Sequence, residues 1–271
     1  SIVALEHVNT TIPDQRLATL FYVAGLGFTR DPYLMVDDEN MWVNVGRQQF
    51  HLPSRGTQVL RGHVGLVVPD LDALERRLQR VAPKLAGTRY AHTRDARCVT
   101  ATSPWGNVLR CYAPQPCFGA MVLGMPYVAF DVPPGAAAGI QRFYARAFGV
   151  RGTLSEDRRV ARIPAGPDQE LLFRETDEPL APYDRHHVAI YVSDFSGPHA
   201  FLERHGLITE ESDAHQYRFQ TLIDPESGAP LFDIEHEVRS LRHPMWGRAF
   251  VNRNADQTQR EYVPGRDAFP G

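Results

Sequence analysis

Cysteine is scarce in this chain and long apolar runs are missing. Its 271 residues contain only three cysteines, Cys98, Cys111 and Cys117. Their spacing makes no metal-type pair, and the odd number favours reduced thiols and a cytoplasmic setting. Cys111 and Cys117 could in principle bridge, but all three read most simply as small buried hydrophobes. No stretch approaches eighteen consecutive apolar residues, so no membrane-spanning helix is expected. The opening SIVALEHV reads directly as a strand, with no charged-then-apolar leader before it. Basic residues are not in excess: 29 Lys and Arg stand against 32 Asp and Glu. The chain therefore lacks the basic footprint of a nucleic-acid binder. It has no GxGxxG or Walker motif, and no GxSxG elbow or Cys/His pair, so nucleotide binding and nucleophilic catalysis find no support. The rest is ordinary for a globular protein, 43% hydrophobic and 23% charged, with enough length for one large or two ordinary domains.

What the chain does have is a four-fold echo. A β-like run carrying a His or Tyr recurs about every sixty residues: LEHVNTTIPD around His7, RGHVGLVVPD around His63, MPYVAFDVPP around Tyr127 and RHHVAIYVSD around His187. Each run ends in a Pro, Asp or Ser turn and leads into a segment of helical period. A repeat on this scale is one supersecondary unit copied. In the first copy Leu17, Leu20, Phe21 and Val23 predict a helix over Arg16 to Gly25. Three short strands follow, at 27–32, 41–46 and 49–52. In the second, a strand over 63–68 precedes a helix over 71–81 and strands at 97–102 and 108–112, the last two joined by the Ser103-Pro104-Trp105-Gly106-Asn107 turn. Glu75-Arg76-Arg77 reads as a solvated helix face. The second half copies the first: Phe21-Tyr22 followed by Gly25-Leu26-Gly27-Phe28 matches Phe143-Tyr144 followed by Ala147-Phe148-Gly149-Val150. Its strands are expected at 160–164, 170–174, 217–223 and 230–237, with a helix near 199–205.

A β-α-β-β-β unit cannot close its own sheet, so two units must pair. The expected fold class is α+β, with four βαβββ modules paired into two half-barrel domains. Pro114-Gln115-Pro116 breaks the pattern and suggests domains over 1–116 and 117–240. Residues 241–271 are read as a tail packed on the surface, anchored by Met245, Trp246, Phe250 and Val251. Inward residues alternate along each strand, so side chains on equivalent strands converge on a common cleft.

Over about residues 2–238 the chain resembles the vicinal oxygen chelate superfamily of glyoxalase I, fosfomycin-resistance proteins, extradiol dioxygenases and hydroxyphenylpyruvate dioxygenase. The resemblance rests on the His-bearing first strands, the PD-helix-GLGF segment, and the PWGN and DPESG turns before last strands. It implies a divalent metal held between paired modules, chelating two neighbouring oxygens of a substrate or intermediate. In the first half it points to His7 and His63 on the first strands and to His51 where glyoxalase I-like proteins usually carry a Glu ligand. Three imidazoles suit Zn, Fe, Ni or Cu. Arg110 falls at the fourth position. It stays protonated and cannot ligate, so its expected role is to clamp a substrate carboxylate or enolate oxygen. Asn9 and Gln49, two residues from His7 and His51, are expected to hydrogen-bond substrate.

In the second half the equivalent first-strand residues are Tyr127 and His187. The strand PLFDIEHE is similar to the last strand of hydroxyphenylpyruvate dioxygenase and implies Glu235 as a ligand. Tyr127 stands where a second His belongs. His186 reads as a supporting group or an exposed one, and His236, on the opposite face from Glu235, as structural. Asp233 and Glu237 share the face of Glu235 and are read as a solvated acidic edge. The resemblance thus implies a metal-dependent enzyme acting on a small oxygenated molecule, with Fe, Zn, Ni or Mn as cofactor. Four modules lean toward extradiol-type ring cleavage. A glyoxalase-like isomerase or lyase is the alternative, as is a metal-free binder similar to bleomycin-sequestering proteins. No nucleic-acid or membrane partner is expected, and the chain is read as a monomer or homodimer.

Overall fold

Each expected repeat folds as β-α-β-β-β in the computed structural model, which describes residues 1–34, 37–255 and 268–269. The first module contains β1 (Ile2–Asn9), α1 (Gln15–Ala18), a wider π-helical turn over Thr19–Gly25, β2 (Thr29–Arg30), β3 (Asn40–Val45) and β4 (Gln48–Pro53). The second contains β5 (Gly62–Val67), α2 (Leu71–Val81), β6 (Ala91–Arg94), β7 (Val99–Thr102) and β8 (Val108–Tyr112). The third contains β9 (Gly124–Val132), α3 (Ala136–Phe148), β10 (Thr153–Leu154), β11 (Val160–Gly166) and β12 (Gln169–Glu175). The fourth contains β13 (His187–Val192), α4 (Ser196–Arg204), β14 (Ile208–Asp213), β15 (Gln216–Ile223) and β16 (Pro230–Ser240). The α+β class and the module pattern are those the sequence implies. No helix among the described residues is long and apolar enough to cross a membrane.

The Pro-Asp turns act as helix starts. The Asp14 carboxylate accepts hydrogen bonds from the Arg16 and Leu17 amides, and Asp70 does the same for Ala73. These acceptors satisfy amides that a helix N-terminus leaves unpaired. The first helix departs from expectation after one turn. Phe21 and Tyr22 are adjacent and both fully buried. A wider turn rotates the chain less per residue and so turns both rings inward, as the Leu26 amide bonds back to Phe21 O at 2.8 Å. The strands β6 and β14, absent from the sequence reading, are mostly exposed and polar, and so carry no apolar alternation.

The chain forms two compact units. The first is Ser1–His7 with Tyr127–Gly247, and the second is Val8–Pro126 with Arg248–Gly271. In the first unit the strand orders are β14-β15-β16-β13-β1 and β10-β11-β12-β9. Here β13 and β16 run parallel, with His187 opposite Glu235 and Ala189 opposite Glu237. The unit's core is aromatic: Phe130, Phe143, Tyr144, Phe173 and Phe219 are fully buried, each ring contributing about 1.5–3 kcal/mol of apolar burial. Gln169 ties β12 to β1 by bonding both the amide and the carbonyl of Leu5.

In the second unit the orders are β4-β3-β2 and β5-β8-β7-β6. Leu74, Leu78 and Val81 of α2 are buried there, with Leu78 and Val81 close to Gly25 of the π-helical turn. Arg77 is buried too, rather than solvated: its guanidinium lies over Gly27 and donates to Leu26 O at 3.4 Å. Cys98 and Cys111 are buried free thiols, whereas Cys117 is exposed because it sits in the short helical turn over Pro116–Phe118. The described part of the tail is held by polar contacts. Arg248 pairs with buried Asp31 at 2.7 Å, Asn44 donates to Val251 O, and Asn252 bonds both the amide and the carbonyl of Gly46. Trp246, read as an anchor, is 42% exposed. The tail reading over 256–267 and 270–271 lies outside the described residues.

Candidate metal centre

His7 enters the first unit near the end of β1, and His187 opens the neighbouring β13. Their rings meet edge-on, with centroids 5.9 Å apart. Glu237 comes from β16 on the far side of β13, and its Oε2 lies 3.7 Å from His187 Nε2. Among the described residues, His7, His187 and Glu237 are the group whose potential ligand atoms all lie within 4.8 Å of one another, and all three are buried. Two imidazoles and one carboxylate form a donor set suited to a first-row divalent ion, and three protein ligands leave coordination positions open. The residues therefore fit the ion that the sequence resemblance implies.

The surrounding charges are arranged as a network. His7 Nδ1 lies 2.8 Å from Glu6 Oε2. An ionised carboxylate can only accept, so His7 carries a proton on Nδ1. Burial opposes ionisation of Glu6, but the His7 hydrogen bond and the charge of Arg239 outweigh it and hold the carboxyl below its usual range. Arg239 reaches Glu6 Oε2 at 2.6 Å with one nitrogen and Glu237 Oε1 at 2.5 Å with the other. Arg218 donates to Glu235 Oε1 at 2.7 Å and Glu237 Oε2 at 2.6 Å. Burial alone would lower the Arg239 pKa, but its two carboxylate partners raise it.

The anticipated site residues are distributed as follows. His7 and His187 come together. Glu235 stands beside them, 3.4 Å from His187 Nδ1, with its backbone amide donating to the Tyr183 hydroxyl. Glu237 is buried between two arginines rather than solvated. Tyr127 lies on β9 opposite Glu170. The second unit holds His51 and His63, on strands of different sheets. The His51 ring stacks on Trp42 at 3.8 Å, and its Nε2 lies 3.0 Å from Asn40 Oδ1. Gln49 is buried and donates to Asn44 and Asp31. Asn9 is buried at the end of β1, and Arg110 is exposed on β8 opposite Thr100. His186 is fully buried, its Nδ1 2.6 Å from Asp184. His236 is structural: it stacks on Phe219 and pairs with the Tyr144 hydroxyl at 2.6 Å. Sequence reasoning missed Glu6, Arg218 and Arg239. The one available signal was the run of alternating charges Asp233, Glu235, Glu237 and Arg239 along one face of a strand.

No family model matches the chain, and no curated protein matches it. Solved structures do. Glyoxalase I from Zea mays is similar with a TM-score of 0.62 at 15% identity, over 88% of this chain and 92% of the maize chain. A Bacillus subtilis subsp. subtilis str. 168 protein described as a "putative dioxygenase" is similar with a TM-score of 0.59 at 15% identity, over 89% of this chain and 86% of that one. The chain has the vicinal oxygen chelate fold. At this identity the likeness is one of architecture, and the reaction must be argued from the site. In this chain the first and fourth modules together supply the two imidazoles and the carboxylate.

Proposed function

We propose that the chain is a divalent-metal enzyme of the vicinal oxygen chelate type, acting on a small oxygenated molecule with His7, His187 and Glu237 as the ligands. One observation carries the reading: three buried ligand atoms of suitable chemistry lie within 4.8 Å of one another. When bound, the ion would act as a Lewis acid toward two adjacent substrate oxygens. The protein's own groups hold the ligands in place: Glu6 fixes the His7 tautomer, and Arg239 and Arg218 hold the Glu237 carboxylate. A two-His, one-carboxylate set favours oxygen-dependent ring cleavage over isomerase or lyase chemistry, because it leaves room for both substrate and O₂. Fe(II) and Mn(II) suit that use, and Zn(II) or Ni(II) the alternative. His51, His63, Arg110 and Tyr127 have no ligand role in this reading, while Glu235 supports His187. The unpaired cysteines agree with a reducing cytoplasmic setting.

A second reading, metal-free binding of a small molecule, is favoured by one feature. Both oxygens of Glu237 already meet guanidinium groups, so its charge is compensated without an ion. Elemental analysis of the purified protein, followed by anaerobic titration with Fe(II), Mn(II), Zn(II) and Ni(II), separates the two. The enzyme reading expects near one equivalent bound, lost in His187→Ala and Glu237→Ala. Ion at a hundredfold excess over its Kd should then add about 2.7 kcal/mol to unfolding stability. A parent protein that binds none of the four ions refutes it. Oxygen uptake with catechols then separates ring cleavage from isomerisation.

A further inference from the structure

Two of the three candidate ligands come from strands that do not touch. His7 is on β1 and Glu237 on β16, and in the first unit β13 lies between them. No single backbone ladder therefore joins His7 to Glu237, whose strands are spaced through β13. A buried side-chain bridge links their side chains directly. His7 Nδ1 meets Glu6 Oε2 at 2.8 Å, the same oxygen meets Arg239 Nη1 at 2.6 Å, and Arg239 Nη2 meets Glu237 Oε1 at 2.5 Å. All four residues are buried, so the bridge is shielded from solvent: its first two links are charge-assisted hydrogen bonds and its last is an ion pair. Arg239 is itself oriented, since its Nε donates to Gln216 Oε1 at 3.0 Å across the β15–β16 ladder.

We infer that Glu6 and Arg239 are positioning residues that set the ligand spacing across the intervening strand. Glu6 selects the His7 tautomer that carries its proton on Nδ1. Arg239 couples that carboxylate to Glu237 and holds Oε1 away, so that Oε2 turns toward His187. Carboxylates that accept the second N–H of a ligating imidazole typically change metal affinity 10–100-fold when removed. The inference rests on the metal-site reading above, and its first readout needs no metal.

Four variants test it: Glu6→Gln, Glu6→Ala, Arg239→Lys and Arg239→Met. In the metal-free parent, ¹⁵N shifts of the His7 ring should report a proton fixed on Nδ1. Glu6→Ala should release this preference, and Glu6→Gln, which keeps an acceptor oxygen, should retain most of it. Zn(II) and Mn(II) affinities measured by competition with a chromophoric chelator should weaken about 10–100-fold in Glu6→Ala and Arg239→Met. Arg239→Lys should lose less, because one of its two carboxylate contacts survives. If Glu6→Ala or Arg239→Met fails to fold, the conservative member of each pair carries the test. An unchanged His7 tautomer in both Glu6 variants overturns the inference, as does metal affinity within twofold of the parent in all folded variants. A parent that binds no ion instead sinks the functional reading, while the ring shifts still decide whether Glu6 orients His7.

Discussion

Acidification should destabilise the first unit through one histidine, by an amount the structure allows to be worked out. His236 is fully buried, with its Nδ1 2.9 Å from Ile234 O and its Nε2 2.6 Å from the Tyr144 hydroxyl. Nδ1–H donates to the carbonyl and Nε2 accepts from the phenol, so every polar atom of the neutral ring is used. Protonation would put a second donor against a hydroxyl whose own pKa burial holds well above normal. Burial pushes the His236 pKa down from 6.5 to about 4. A depressed folded-state pKa means that the unfolded chain takes up the proton first as pH falls. The contribution is then complete above about pH 6.5 and lost progressively toward pH 4. A gap of roughly 2.5 units amounts to about 2 kcal/mol lost by about pH 5 and about 3 kcal/mol by about pH 4. Urea unfolding at a series of pH values between 7 and 4, for the parent and His236→Gln, isolates this one group by difference. The parent should show the extra slope and the variant should not. Equal slopes in the two proteins, or an NMR titration of His236 centred near its ordinary value, would refute the reasoning.

Two predictions concern the second unit. Asp31→Ala removes the partner of Arg248 and the acceptor for the Tyr33 and Leu34 amides. It should cost about 3 kcal/mol and speed tryptic cleavage after Arg248, and an unchanged cleavage rate would contradict the assigned anchor. Gly46 has φ +65°, and a Cβ there would fall on the Leu123 carbonyl oxygen. Gly46→Ala should therefore cost more than about 1 kcal/mol in urea unfolding, and a neutral effect would show that the turn relaxes freely.

Most of the fold was legible because it is written in repeats. The periodic apolar residues of Leu71–Val81 and the alternation of Val108–Tyr112 placed elements with the observed limits. Polar edge strands such as β14 carry no such signal. The candidate site was legible in part. His7 and His187 stood out as equivalent first-strand residues, but adjacency in sequence suggested His63 as the companion of His7. Which modules share a site depends on which strand edges meet, and each module has the same edge to offer. Glu235 and Glu237 face the same way two residues apart, and only the register of β16 on β13 brings Glu237 within reach of both imidazoles. Glu6 escaped notice because a neighbour in sequence on a strand ordinarily points to the opposite face.

The first unit joins the opening seven residues to a segment that begins 120 residues later. Residues 7 and 237 are 230 positions apart, so at about 5–20 residues per second His7 is synthesised about 12–46 s before Glu237. Throughout that interval a nascent chain lacks the carboxylate, so the three-residue group of His7, His187 and Glu237 is incomplete. Under the proposed metal-site reading, an ion can be held by this group only once Glu237 has been made.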